Sequence, residues 1–160
     1  MRLIIGLGNP GGSYQNTRHN AGLLVLDKLQ KTKLAKDFVM RKSGVFMNNS
    51  GNFVRKLVSQ YKLRSEDLYI VHDDLDIPLG SYKIQFGRGP KDHNGILDIE
   101  NKLGTKDFWR VRVGVDNRSE DKKPLGEKYV LQNFSDEETE ILNKTIKEVV
   151  KKLFELVKTQ

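Results

Sequence analysis

Leu3, Ile4 and Ile5 follow one another without a polar residue between them, and the run closes on Gly6, Leu7 and Gly8. A short, continuous apolar run ended by glycine is the pattern of a strand buried inside a sheet. Behind it comes a polar loop, "NPGGSYQNTRHN", and then a helical pattern over Asn20–Lys31 carried by Leu23, Leu24, Leu26 and Leu29. Asp67–His72 is a second apolar strand, and Tyr82–Phe86 and Phe108–Val115 alternate as strands do. Helices are expected at Asn52–Tyr61 and Ile96–Leu103. Strands alternating with helices predict an α/β layered fold with a mixed sheet. Val45–Met47 reads as a short strand, Leu75–Gly80 as a turn and Gly87–Gly95 as a loop, while Thr32–Gly44 has no pattern that places it.

The clearest helix is the last. Ser135 and Glu138 stand at capping-box spacing. Ile141, Leu142, Ile146, Val149, Val150, Leu153 and Leu156 then recur at helical spacing, so a helix over about 135–158 is expected to pack on the rest. With 160 residues and no internal repeat, the expectation is one domain, 1–160.

Several classes fall away on composition. Cysteine is absent, which removes disulfides, thiol nucleophiles and thiolate metal sites together. No apolar run approaches the roughly 20 residues that span a bilayer, and no signal-peptide pattern stands at the start, so no membrane and a cytoplasmic location are expected. Lys and Arg number 28 against 21 Asp and Glu, a formal charge of +7. That balance reads two ways, as the footprint of an anionic partner, nucleic acid first, or as ordinary solubility.

Gly6, Gly8 and Gly11 satisfy G-x-G-x-x-G after a strand, so a dinucleotide loop has to be tested. Such a loop needs a helix that opens at the glycines and presents its amides to a pyrophosphate. Pro10, Gly12, Ser13 and Tyr14 instead keep the chain in a loop, and Asp27, at the distance of the ribose-binding acid, lies inside the helical pattern. A P-loop fails too, having glycine where lysine is required. The loop fits catalysis better. His19, just past a strand end, has an ordinary pKa near neutrality and suits a general base. Asp73 emerges where the second strand ends; if the two strands are neighbours, it can hold one ring nitrogen of His19 and leave the other to activate water. The rival reading joins His72, Asp73, Asp74 and Asp76 as a divalent metal site. Adjacent strand residues face opposite ways, which works against that convergence. Asn48 and Asn94 stand at strand-to-helix junctions, each suited to an N-cap or to gripping an amide or ester carbonyl. Asn9 adds a third amide at a strand end.

Taken together, "GLGNPGGSYQNTRHNAG", "FMNNSG", "HDDLDIPLG", "HNG" and "FWRVRVGV" resemble the bacterial-type peptidyl-tRNA hydrolases, in that family's order and over nearly the whole chain. The resemblance implies a three-layer α/β/α monomer with a twisted, mostly parallel sheet and no obligate protein partner. It implies cleavage of the ester joining a peptide to the terminal ribose of tRNA, which recycles stalled peptidyl-tRNA, with no metal and no organic cofactor. By the same resemblance His19 would be the base and Asp73 its anchor. Asn9 and Asn48 would bind peptide backbone with Met47 lining the pocket, Asn94 would position water or the carbonyl, and Tyr14 would lie against the terminal nucleotides. Arg112 would meet tRNA phosphate. The chain departs from the family in a shorter stretch before Phe46, in Lys91 and Asp92 where glycines are usual, and in Gln85 where a phosphate-clamping lysine is common. Lys91 is expected to point outward and supply that charge, with Asp92 as N-cap of the following helix.

Overall fold

The computed structural model describes residues 1–159. Its sheet has five strands: β1 (Arg2–Gly6), β2 (Phe38–Lys42), β3 (Leu68–Pro78), β4 (Tyr82–Phe86) and β5 (Trp109–Asp116). They lie in the order β2-β1-β3-β5-β4, parallel throughout except for the antiparallel β4–β5 edge. Five α-helices accompany them: α1 (Ala21–Leu29), α2 (Ser50–Gln60), α3 (Asn94–Leu103), the single turn α4 (Gly126–Tyr129) and α5 (Asp136–Lys158).

The strand pattern dictates the layering. Side chains alternate faces along a strand. Ile4, Tyr69, Val71, Val111 and Val113 therefore meet Val25 and Leu26 of α1 and Leu142 and Val149 of α5 on one side. Leu3, Ile5, Leu68 and Ile70 meet Val54 of α2 and Ile96 and Ile99 of α3 on the other. Each fully buried aliphatic side chain stabilises by roughly 1.5–3 kcal/mol, so apolar residues at both parities of β1 require helices on both sides of the sheet. The expected three layers result. The glycines around β1 serve this packing. A Cβ on Gly22 would run into the backbone oxygens of Val71 and Leu7, so α1 can settle on β1 and β3 only with glycine there.

Other boundaries moved for identifiable reasons. The unplaced stretch holds β2, the edge partner of β1. The strand expected at Val45–Met47 does not form. β1 is already paired on both sides, and Met47–Asn49 makes a 3-10 turn that leads into α2 instead. The turn expected over Leu75–Gly80 is strand as far as Pro78, after a register shift beyond Asp74. The chain reverses only at Gly80, whose φ of 97° suits glycine, and Ser81 N–H bonds to the Pro78 carbonyl at 3.1 Å. α3 begins at Asn94, and its N-cap is His93 rather than the expected Asp92. α5 starts as predicted, with Ser135 and Glu138 bonded reciprocally.

From β1 the chain passes through α1 to β2 on one side, whereas from β3 it proceeds to β4, α3 and β5 on the other. The end of β1 and the stretch of β3 that runs on past Val71 thus flank a crevice of the kind where open α/β sheets bind ligands. Among the described residues no helix is long and apolar enough to cross a membrane.

Candidate active site

A cleft of about 770 Å³ opens at that crevice, and Asn9, His19, Met47, Asn48, Asp73 and Asn94 all reach its wall. Its floor is made by two histidines sharing one carboxylate. His19, in a 3-10 turn spanning Arg18–Asn20, places Nδ1 2.8 Å from Asp73 Oδ2. His93 places Nε2 2.7 Å from Asp73 Oδ1.

The proton positions follow from the partners. Ile96 N–H donates to His93 Nδ1 at 3.2 Å, as the first turn of α3 seeks an acceptor. With Nδ1 accepting, His93 carries its proton on Nε2 and donates it to Asp73. The carboxylate's other oxygen then takes the Nδ1–H of His19, leaving His19 Nε2 with its lone pair beside the cleft. The charges follow the same logic. Burial works to lower the His19 pKa, but the Asp73 charge and hydrogen bond outweigh it, and the net shift is upward. For Asp73, burial works upward, and the two imidazoles overcome it to hold the carboxyl well below the usual carboxylate range. His72 behaves differently. It is wholly buried, its Nδ1–H donates to the Asp73 carbonyl at 2.7 Å, and its Nε2 has no partner. Burial, reinforced by His93, pushes its pKa down to about 3, so it stays neutral.

Metal binding fits this arrangement poorly. The donor atoms of His19, Asp73 and His93 lie within 4.8 Å of one another. Yet a cation on His93 Nε2 would require Nδ1 to carry the proton and face the Ile96 N–H donor to donor. The rival set on β3 does not converge either. Asp74 pairs with Arg112 at 2.7 Å and accepts from Asp76 N–H at 2.8 Å, while Asp76 is exposed.

Asparagines line the approaches. Asn20 clamps the Asn9 backbone through two hydrogen bonds of 2.8 and 2.9 Å. Asn9 Oδ1 in turn accepts from Met47 N–H at 2.8 Å, which leaves the Asn9 amide nitrogen as the donor available to a substrate. Asn48 and Asn94 are exposed at the starts of their helical segments. Neither is an N-cap, since their helices are capped by other residues. Tyr14 stands outside the cleft lining, half-buried and edge-on to Phe46 at 6.2 Å.

Two expected contacts are placed differently from each other. Lys91 is exposed on the loop over residues 87–92. Arg112 is buried beneath that loop: Nε engages Asp74, Nη1 bonds Gln85 at 2.7 Å, and Gly89 covers the guanidinium with no room for a Cβ. The sequence reading missed His93 as a partner of Asp73. The available signal was the histidine count, three in the chain, all of which bond Asp73, two at its carboxylate and His72 at its backbone carbonyl.

An open, mostly parallel sheet with a carboxylate-held histidine in a cleft rimmed by amides is the kind of site that suits a hydrolase. The peptidyl-tRNA hydrolase family model matches residues 3–160, and the chain belongs to that family. It is 40% identical to the peptidyl-tRNA hydrolase of Mycoplasmopsis synoviae, covering 89% of this chain and 82% of that one. It is 35% identical to the enzyme of that name from Aquifex aeolicus, over 98% and 90%. The crystal structure of peptidyl-tRNA hydrolase from Acinetobacter baumannii superposes with a TM-score of 0.80 at 28% identity, covering 100% of this chain and 90% of the other.

Proposed function

We propose that this protein hydrolyses the ester between the peptide and the terminal ribose of peptidyl-tRNA, with His19 as general base. The observation that carries the reading is the His19–Asp73–His93 arrangement, which leaves one basic nitrogen facing an amide-rimmed cleft. His19 Nε2 takes a proton from water, and the resulting hydroxide attacks the ester carbonyl carbon. Asp73 steadies the imidazolium as it forms. Amide donors of Asn9 or Asn94 meet the developing oxyanion, where a placed donor helps the transition state most. As the bond to the ribose oxygen breaks, that oxygen takes the proton back from His19, giving free tRNA and a peptide with a carboxyl end.

Asn48 and Met47 hold the peptide backbone beside the ester, and Tyr14, with Phe46 against it, receives the terminal nucleotides. Exposed Lys91 and Arg88 are the cations placed to meet phosphate, while Arg112 supports the site from beneath by holding Asp74. The reading includes action as a monomer in the cytoplasm, which sedimentation at working concentration tests for the oligomeric part. The direct test is release of tRNA from N-acetyl-aminoacyl-tRNA and from unblocked aminoacyl-tRNA. Rapid release from the blocked substrate supports the reading, and none from either rejects it.

A further inference from the structure

Besides its bonds to Asn9 and Asp73, the turn that carries His19 is fastened on another side by Arg18, Tyr129 and Glu138, buried residues that the hydrolytic steps above do not use. Arg18 is 8% exposed at its side chain, and its Nη2 lies 2.8 Å from Glu138 Oε1. Its guanidinium carbon sits over the Tyr129 ring, 3.9 Å from the centroid. Nη1 donates to the Tyr129 carbonyl at 3.3 Å. Glu138 is itself shared. Oε1 accepts the Ser135 N–H of the α5 capping box, and Oε2 accepts Asn117 Nδ2 at 3.2 Å. Tyr129 closes the ring of contacts, its hydroxyl accepting Asn117 N–H at 3.0 Å.

The backbone repeats the fastening. Arg18 N–H bonds the Gln132 carbonyl at 3.0 Å, His19 N–H bonds the Val130 carbonyl at 2.7 Å, and Phe134 N–H bonds the Asn16 carbonyl at 3.0 Å. The strap over residues 129–134 therefore touches the His19 turn on one side, and through Val130 and Leu131 it forms cleft wall on the other.

Stability does not account for this arrangement. A buried ion pair contributes little net stability because both charges lose their hydration, and apolar replacements often do as well. Arg18 Nε is moreover buried without a partner, a further cost that a purely structural contact would avoid. What the fork does provide is direction, since a planar guanidinium fixed at two nitrogens and one face cannot rotate.

We infer that Arg18, held by Glu138, is a positioning residue that sets where His19 stands relative to Asp73 and the cleft wall. The inference rests on His19 being the base. Arg18 is adjacent to His19 in a turn of three residues, so a tilt at its anchor moves the imidazole directly. A displacement near 1 Å at a reacting group costs on the order of a hundredfold.

The test uses Arg18→Lys and Glu138→Gln on the full chain, with N-acetyl-aminoacyl-tRNA as substrate and His19→Ala alongside. Glu138→Gln keeps one oxygen for Ser135 N–H and Arg18 Nη2, so the α5 cap survives. It removes the charge that grips the guanidinium and the acceptor for Asn117, and it tests the inference even if Arg18→Lys fails to fold. Folding is verified by circular dichroism at the assay temperature. We expect kcat to fall roughly ten- to hundredfold with KM changed less than about twofold. The downfield imidazole N–H resonance of the His19–Asp73 bond should move or broaden in the same variants. A folded variant with wild-type kcat, or a loss confined to KM with that resonance unmoved, overturns the inference. Full activity in His19→Ala overturns the base assignment itself and this inference with it, a result distinguishable from the first.

Discussion

Asp73 accepts two imidazole N–H bonds at once, and of the two histidines only His19 keeps a ring nitrogen free for the cleft. His93 is held by Ile96 N–H and serves to keep the carboxylate charged and aimed. His93→Ala is expected to lower kcat roughly tenfold, the effect of losing one hydrogen bond to a charged group worth about 1.5 kcal/mol. His93→Gln, which can still donate, should recover part of the loss in the same assay. Because the His19 pKa is raised, and the base must be neutral, activity should rise with pH through an acid limb above the ordinary histidine value of about 6.5. A limb below that value in a kcat/KM profile would contradict the Asp73 pairing. His72 acts on stability with the opposite sign. Its folded pKa of about 3 lies below the unfolded value, so its contribution is full above about pH 6.5 and is lost as pH falls toward 3. His19, with a raised pKa, contributes fully below about 6.5 and loses that as pH rises through its folded value, so between pH 7 and about 6.5 it offsets part of the His72 decline. From pH 7 to pH 5 the protein should lose about 2 kcal/mol through His72. Urea unfolding at the two pH values measures this, and His72→Asn, which keeps a donor for the Asp73 carbonyl, should flatten the difference.

At the scale of elements, the glycine-rich loop after β1 separates two kinds of glycine. Gly22 lets α1 touch the backbone of β1 and β3, whereas Gly12 has open space around its missing Cβ. Gly22→Ala is expected to destabilise by more than about 4 kcal/mol, and Gly12→Ala to change stability by less than about 0.5 kcal/mol, both read from urea midpoints. A Gly22→Ala protein as stable as the parent would mean that α1 does not pack this closely. Elements whose signal is local were legible in the sequence. Leu3–Ile5 and Leu68–Val71 announced buried strands, and Ser135 with Glu138 announced the start of α5. Elements set by neighbours were not. β2 is a strand because β1 offers it an edge, and Phe38–Lys42 alone, two of its five residues charged, does not advertise that. The β3 extension to Pro78 depends on β5 beside it, so "LDIPLG" read as a turn. Within the site, Asp73 and His19 could be paired from two strand ends. The His93 contact needed the loop over residues 87–92 to fold back, which Arg110 enforces by bonding the Gly89 carbonyl at 2.9 Å.

On the molecule as a whole, the +7 charge and the buried position of Arg112 lead to a division between support and contact. Strand alternation placed Arg112 on a face of the sheet, but nothing in the pattern said that a loop would roof that face. Lys91→Ala should raise KM for tRNA substrates with kcat nearly unchanged, and should reduce the log–log salt dependence of binding by roughly 0.7 to 0.9, one phosphate's worth. Arg112→Ala should instead lower stability by about 3 kcal/mol or more, since it strands the Asp74 carboxylate in the interior. An Arg112→Ala protein of normal stability with a flattened salt slope would reverse the two assignments. The most direct check of the whole account is the rate of tRNA release from N-acetyl-aminoacyl-tRNA in single turnover, wild type against His19→Ala. The account predicts a loss of about 10² to 10⁴ in rate with substrate binding retained. A His19→Ala protein that releases tRNA at the wild-type rate would contradict it.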